Sequence, residues 1–316
     1  AGVQARQKRY ADAARNAQQA LVVAQEVGSP DLQWRAWDTL ADVALRRGNP
    51  EQSIFYRKQA VNLIQSLRAS ALSLDKELQR SLVQNKEQVY RSLADTMIAR
   101  GRLAEAEQVM SMLKEEEYFD FIRRDATTDA RQTTLTSSAA EAPWAQRYQE
   151  ISAKLAALGK EYEGLRAIPA SSRTPEQQAR FDQVKADREV ANAAFQSYLV
   201  ELEQAFRTQG EDRAMDFAAQ NLQSLSGMQG SLARLGQGAV IVHYLLLPDK
   251  VHILLTTPTV QIHRESAISQ AELNKLVFQY RDILQSPSRD PVPTAKALYD
   301  ALIAPIAPDL QQAGAK

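Results

Sequence analysis

The chain has 316 residues, enough for two or three domains, and its 44% hydrophobic and 24% charged content is that of an ordinary globular protein. Its 38 basic and 38 acidic residues cancel, so composition gives no electrostatic case for a nucleic-acid partner or an anionic membrane. The absence of cysteine excludes disulfides, thiolate metal sites and a cysteine nucleophile from these residues, and we expect no cofactor.

The N-terminal residues show neither a signal peptide nor a helix start. The opening AGVQARQKRYADAARNAQQAL is already inside a helical pattern, so we expect an upstream segment, which leaves room for a removed targeting sequence. The apolar runs are far shorter than the ~20 residues that span a bilayer. We therefore predict a cytoplasmic protein with no membrane partner.

Residues 1–124 contain a repeated two-helix pattern. The segments AWDTLADVALRRGNPEQSIFYRKQAV and VYRSLADTMIARGRLAEAEQVMSML align. In each, a large residue, a leucine and an alanine share one helix face, a glycine ends that helix, and a small residue lies on the next. These features predict left-handed helix ends and close antiparallel packing. The matched pairs are Trp37 with Tyr90, Leu40 with Leu93, Ala41 with Ala94, Gly48 with Gly101 and Ser53 with Ala106.

This pattern resembles the tetratricopeptide repeat, whose helix pairs stack into a solenoid. Two features depart from the family: the two glycines are further apart than its ~34-residue period, and Leu113 occupies a usually small position. The resemblance implies that the inner face of the first helices binds a protein or peptide. By position, that face carries Arg35, Asp38, Asp42, Gln88, Arg91 and Asp95. The alternatives are a generic helical bundle and ordinary solvated side chains.

Residues 125–142 are rich in Thr, Ser and Ala and predict a flexible linker. Residues 143–210 then predict an antiparallel helical hairpin. Apolar residues recur at spacings of four and three on both of its helices, interrupted on the second by Arg188. The second helix starts at a capping box, Thr174-Pro175-Glu176-Gln177. The alternative is two helices that pack separately on their neighbours.

Residues 211–316 predict a helix with glycine interruptions, followed by a small sheet. GAVIVHYLLLPDKVHILLTT reads as two strands joined near Asp249, and TVQIHRES reads as a third. The first two strands are apolar at nearly every position, which is typical of strands covered on both faces. A capping box of Ser269 and Glu272 then opens a helix, and TAKALYDALIAPI begins another.

Three strands would leave exposed edges, and the last residues, APDLQQAGAK, do not resemble a natural domain end. We therefore expect an incomplete domain whose remaining strands lie elsewhere. The alternative is a small self-contained α+β domain.

The order of these segments is similar to that of bacterial CHAT proteins, in which a caspase-like, separase-related domain follows tetratricopeptide repeats. The resemblance is carried by GAVIVHYLLLPDKVHILLTTPTVQIHRES, LNKLVFQYRDILQS and AKALYDALIAPIAPDL. It implies a mainly α chain: a helical solenoid, a long hairpin, and the N-terminal part of an α/β caspase-like domain.

Active CHAT proteins are cysteine endopeptidases in which a histidine activates a cysteine thiolate. No position here matches either catalytic motif. The resemblance therefore implies the recognition and regulatory portion of such a peptidase, partnered by a protein or peptide and by the remaining half of the CHAT domain. The alternative is a non-enzymatic tetratricopeptide scaffold with an inactive CHAT-like docking module.

The histidines, His243, His252 and His263, lie in the apolar strands. A turn formed by Asp249 and Lys250 alone puts His243 and His252 on one face without pairing them, and a three-residue turn puts them on opposite faces. Neither register gives the close spacing of a metal site, and no carboxylate cluster completes one. We therefore predict structural histidines and no metal site.

Overall fold

The structure is a computed structural model, and it describes residues 2–71, 86–122, 134–208, 227–236, 238–286 and 288–315. Within these ranges the chain is mainly helical with one small antiparallel sheet, as predicted. The helices are α1 (Gly2–Glu26), α2 (Pro30–Arg46), α3 (Pro50–Ala71), α4 (Glu87–Ala99), α5 (Leu103–Ile122), α6 (Ala142–Arg166), α7 (Pro175–Thr208), α8 (227–235), α9 (Gln270–Leu284), α10 (Val292–Leu302) and α11 (Ala307–Gln312). The strands are β1 (Ile241–Leu246), β2 (Val251–Thr256) and β3 (Gln261–Ser266).

Parts of two predictions lie outside the described residues. The longer spacing between the two repeats predicts unusually long helices between Gly48 and Gly101. Helix α3 has 22 residues, and the rest of the prediction falls on residues 72–85, which lie outside the described residues. Of the helix with glycine interruptions, only residues 227–235 are described.

The chain folds into two compact units, each built from separate stretches of sequence. The first unit contains α1, α2, α3, α6, α7 and the start of α4 to Val89. The second unit begins at Tyr90 and contains the rest of α4, α5 to Phe121, the sheet and the helices after it. The predicted repeat region, 1–124, is thereby divided between the two units.

Three helix ends share one glycine-based turn. Gly28, Gly48 and Gly101 have φ values of 63°, 81° and 71°. After each glycine, the next backbone N–H bonds a carbonyl in the last helical turn, as Asn49 does to Ala44 at 2.9 Å. Glycine adopts this left-handed conformation without a steric penalty. The predicted glycine ends of α2 and α4 are confirmed, and α1 ends in the same way.

Aromatic residues form the core of the first unit. Trp37 on α2 is fully buried, donates its Nε1–H to the Tyr148 hydroxyl at 3.2 Å, and meets that ring edge-on at 5.0 Å. Phe195 and Tyr198 on α7 stack with a centroid separation of 5.9 Å. Helices α2 and α3 pack closely, and α6 contacts both α1 and α7.

The predicted antiparallel hairpin of α6 and α7 is confirmed. Near its base Arg147 pairs with Glu201 at 2.5 Å, and near its tip Arg180 pairs with Glu161 at 2.6 Å. The interruption at Arg188 has a structural cause, because this side chain contacts both α1 and the other helix of the hairpin. Its guanidinium pairs with Glu26 at the end of α1, at 2.6 Å, and lies 3.9 Å from the centroid of the Tyr162 ring.

The hairpin tip has a small cluster of its own. Tyr162 and Phe181 stack at 5.1 Å, and the Arg173 guanidinium lies 4.0 Å from the Phe181 centroid. The predicted capping box is present, since Thr174 and Gln177 exchange hydrogen bonds of 3.0 and 3.2 Å between side chain and backbone. The tip itself is a 3-10 turn, Ala170–Ser172, with exposed residues.

The end of the predicted linker is non-helical but anchored. Leu135 is 4% exposed, and Asn62 on α3 hydrogen-bonds both its backbone N–H, at 2.8 Å, and its carbonyl, at 3.1 Å. The segment 134–141 therefore packs on α3 before α6 begins.

The sheet has the order β1-β2-β3, and both pairs are antiparallel, so the predicted third strand is confirmed. The first turn consists of Pro248 and Asp249, because Leu247 donates to the Lys250 carbonyl at 2.8 Å. This two-residue loop differs from both predicted turns, the one formed by Asp249 and Lys250 and the one of three residues.

This loop still places His243 and His252 on one face without pairing them. The residue opposite His243 is Leu254, and the residue opposite His252 is Leu245.

The two faces of the sheet differ in character. On one face, Val251 and Ile253 pack against Leu273 of α9 and Ile306. The opposite face contacts α4 and α5 through histidines, including His252, which bonds to a carboxylate on α4. Every residue of β2 is buried. Coverage on both faces explains why this strand is apolar at most positions. The Ser269–Glu272 capping box that opens α9 is also confirmed.

Candidate functional site

The candidate site lies on the polar face of the sheet, within the second unit. His252 of β2 and His263 and Glu265 of β3 each place one potential ligand atom within 4.8 Å of the others. The strand register brings them together: Glu265 lies opposite His252, and His263 lies opposite Leu254, two residues further along β2. Directly and diagonally opposite residues on one face of a sheet are close enough for their side chains to interact.

His252 joins two groups through its two ring nitrogens. It is 1% exposed; its Nε2 lies 2.8 Å from Asp95 Oδ1 on α4, and its Nδ1 lies 2.8 Å from His263 Nε2. A carboxylate only accepts hydrogen bonds, so His252 donates from Nε2. In the neutral ring Nδ1 is then an acceptor, and His263 donates to it. The result is a row of hydrogen bonds that connects His263 on β3, His252 on β2 and Asp95 on α4.

Lys250 and Glu265 add opposite charges beside this row of hydrogen bonds. Lys250 Nζ lies 2.8 Å from Glu265 Oε1 and 3.8 Å from Asp95 Oδ1. The same Glu265 oxygen lies 3.4 Å from His252 Nδ1. The hydrogen bond from Lys250 lowers the pKa of the Glu265 carboxyl, and the bond to Glu265 raises the pKa of Lys250. Burial and the neighbouring His252 lower the pKa of His263.

The expectation that the histidines lack close spacing and a nearby carboxylate was wrong. That expectation considered only His243 and His252, on either side of the first turn. The two histidines that lie close together are His252 and His263, on either side of the second turn. There the Thr257 N–H donates to the Val260 carbonyl at 2.9 Å, which fixes the register of β2 and β3. The signal in the sequence was the pair of ligand-type residues in HRE, on one face of β3, opposite the histidine of β2.

A buried carboxylate, Glu107, contacts another part of the same face. Glu107 on α5 accepts a hydrogen bond from Gln261 Nε2 at 2.6 Å. His243 Nδ1 lies 3.0 Å from the other carboxylate oxygen, but the two are not aligned as a hydrogen bond. The Glu107 side chain is 2% exposed. His243 is therefore associated with Glu107 rather than with the His252–His263 pair.

The six residues predicted to bind a partner fall into both units. In the second unit, Asp95 belongs to the candidate site, and Arg91 donates to the Leu246 carbonyl at 3.0 Å, at the end of β1. Gln88 is exposed at the start of α4, in the first unit.

The other three predicted residues lie on α2. Asp38 and Asp42 both pair with Arg57 of α3, whose side chain is 3% exposed, and the Arg57–Asp38 distance is 3.2 Å. Burial raises the pKa of Asp38, and the charge of Arg57 opposes this shift. Arg35 is exposed and pairs locally with Asp31 at 3.0 Å. The structure therefore brings the two aspartates together on Arg57 and leaves Arg35 outside that group.

Comparison of this chain with protein-family models, curated proteins and solved structures gives no significant match. Among the helices of the described ranges, none combines the length and the apolar content of a membrane span.

Proposed function

We propose that this chain is the recognition and regulatory portion of a CHAT-family cysteine endopeptidase, whose catalytic half lies outside these residues. The main support is the sheet. Its central strand, β2, is buried at every position, yet among the described residues β1 and β3 each pair with β2 alone. Strands covered on both faces are typical of larger sheets, and an unpaired strand edge offers N–H and C=O groups to a further strand. The remaining half of the CHAT domain is the proposed source of that strand.

Exposed apolar side chains on α9 and α10 give further support. Phe278 is 68% exposed, which is unusual for so large an apolar residue. The exposed set on these helices is Val277, Phe278, Leu284, Val292 and Tyr299. We assign these residues to the contact with the same catalytic half. The zero net charge does not favour nucleic acid as the occupant.

The helical repeats are proposed to bind the protein or peptide that regulates cleavage. Arg35 is the best probe of this binding, because its side chain is 61% exposed and its ion pair is local. Reversing the charge of Asp38 or Asp95 would also disturb contacts to buried Arg57 or His252, and would therefore test folding as well as binding.

The first experiment determines the coding sequence that follows residue 316 and co-expresses its product with this chain. We expect a His-Gly motif, a cysteine-bearing strand and a complex that cleaves protein in a cysteine-dependent manner. Phe278→Asp should weaken the complex, whereas Val190→Asp, at a position 66% exposed on α7, should not. A following sequence without these motifs would remove the peptidase proposal. A stable complex without cysteine-dependent cleavage would support the non-enzymatic scaffold instead.

The second experiment tests recognition with purified partner. Arg35→Glu should reduce binding, because a charge contact to the partner is lost. Arg166→Glu is the matched control, since Arg166 is 64% exposed on α6 and also has a local acidic partner, Glu163. Equal binding by both variants would exclude Arg35 from the proposed surface.

A further inference from the structure

We propose that His252, His263 and Glu265 form a binding site for a divalent transition-metal ion of the zinc type, oriented by Asp95. The proposal is independent of the proposed function, because it depends only on groups within the second unit. Two imidazoles and a carboxylate are ligands that zinc commonly takes in proteins. All three lie on one face of adjacent strands, so the backbone register holds them together.

Two of the three distances between the ligand atoms are close to what a tetrahedral ion needs, and all three atoms lie within 4.8 Å of one another. Zinc–nitrogen bonds of 2.0–2.1 Å place neighbouring ligand atoms about 3.3 Å apart. His252 Nδ1 and Glu265 Oε1 are already 3.4 Å apart. His252 Nδ1 and His263 Nε2, at 2.8 Å, share a hydrogen-bonding proton. The ion would replace that proton, solvent would transfer the proton to His263 Nδ1 so that the ring stays neutral, and the two rings would separate by about 0.5 Å.

Asp95 selects the nitrogen of His252 that faces the ion. It accepts the Nε2–H at 2.8 Å, which leaves the Nδ1 lone pair directed toward His263 and Glu265. A carboxylate behind a metal-binding histidine fixes the ring tautomer and makes the imidazole a stronger ligand. The side chain of His252 is also only 2% exposed, so its orientation is set by packing before any ion arrives.

Lys250 is a competitor built into the site. Its ammonium group lies 2.8 Å from the Glu265 oxygen that would bind the ion. Two cations that contact the same oxygen atom repel each other, so the metal ion must displace the ammonium group from Glu265. Removing the lysine charge should therefore strengthen metal binding, a result that a purely structural role for the two histidines does not predict.

The test is a calorimetric titration, in which zinc chloride is added to the purified chain after treatment with a chelator. We expect one ion per chain. His263→Gln should lower the affinity at least ~10-fold, Asp95→Asn by about 10- to 100-fold, and Lys250→Met should raise it several-fold. His243→Gln is the matched control, since His243 lies on the same face but contacts Glu107. Its affinity should equal that of the unmodified chain.

Folding is checked on each variant by circular dichroism without metal. His263 is only partly buried, so its variant should fold even where a change at His252 does not. The absence of saturable binding would overturn the proposal. Binding that survives His263→Gln, or that His243→Gln reduces equally, would also overturn it, because the ion would then be held elsewhere.

Discussion

The Lys58 ammonium group lies 2.7 Å from the Glu141 carboxylate, and neither side chain is more than 2% exposed. Lys58 also donates to the Thr136 carbonyl at 3.1 Å, and Glu141 accepts the Ser138 N–H at 2.9 Å. These bonds fasten the segment before α6 to α3. A buried ion pair of this kind is costly to break, because removing one charge leaves the other without compensation.

Lys58→Met should therefore lower the free energy of unfolding by about 3–5 kcal/mol. The double variant Lys58→Met/Glu141→Gln should lose less than the sum of the single changes, since no charge is then stranded. Urea unfolding, monitored by circular dichroism, measures Lys58→Met, Glu141→Gln and the double variant. Strict additivity would show that the two side chains do not depend on each other.

Gly159 and Gly164 provide a matched test of helix packing, since both lie in α6. A Cβ at Gly159 would collide with the Glu26 carbonyl oxygen of α1, whereas a Cβ at Gly164 would meet open space. Gly159→Ala should destabilise the protein by about 1–3 kcal/mol. Gly164→Ala should stabilise it by up to about 1 kcal/mol, because alanine favours the helix. Thermal melts compare the two, and similar melting temperatures would contradict the close approach of α1 to α6.

Arg57 and Arg35 compare a buried arginine with an exposed one. Arg57→Ala should cost about 1.5–3 kcal/mol, because Asp38 and Asp42 lose charged hydrogen bonds and a buried side chain is removed. Arg35→Ala should change stability by no more than about 0.5 kcal/mol, since its pair with Asp31 is exposed. Denaturant midpoints separate the two cases. Equal losses would mean that burial does not distinguish these pairs.

Asp38 should contribute a pH dependence of a definite sign. Burial raises its folded-state pKa above the ordinary value of 3.8, so the folded protein binds a proton more readily than the unfolded chain does. Its contribution to stability therefore decreases as pH rises through the interval from the unfolded to the folded pKa. Asp38→Asn cannot titrate, so it should gain stability relative to the unmodified protein as pH rises through that interval. A relative loss would show that Arg57 outweighs burial.

Local sequence patterns predicted the elements well. The glycines at 48 and 101 indicated left-handed helix ends, and the capping boxes at Thr174 and Ser269 indicated helix starts that the structure contains. These features depend on a few neighbouring residues, so short stretches of sequence are enough to identify them. Ser29 shows the limit of such patterns, because Ser29-Pro30 has the form of a helix start and α2 does begin at Pro30, but the serine side chain forms no capping hydrogen bond.

Contacts between distant residues could not be predicted in this way. Lys58 and Arg57 are residue types expected on a solvated helix face. Both side chains are nevertheless buried, because their acidic partners lie on other segments of the chain. The approach of His252 to His263 depends on the turn after β2, and its bond to Asp95 joins residues from distant parts of the chain. Periodicity within one element contains no information about such pairs.

The self-contained cluster at the hairpin tip makes the protein convenient for spectroscopy. Because the chain has no cysteine, Ser171→Cys would introduce its single thiol, at an exposed position in the 3-10 turn. A dye or spin label attached there would be held near the stacked Tyr162 and Phe181 rings rather than on a free terminus. The tip could then report on rotation of the protein, and on the arrival of a partner, without any cysteine having to be removed first.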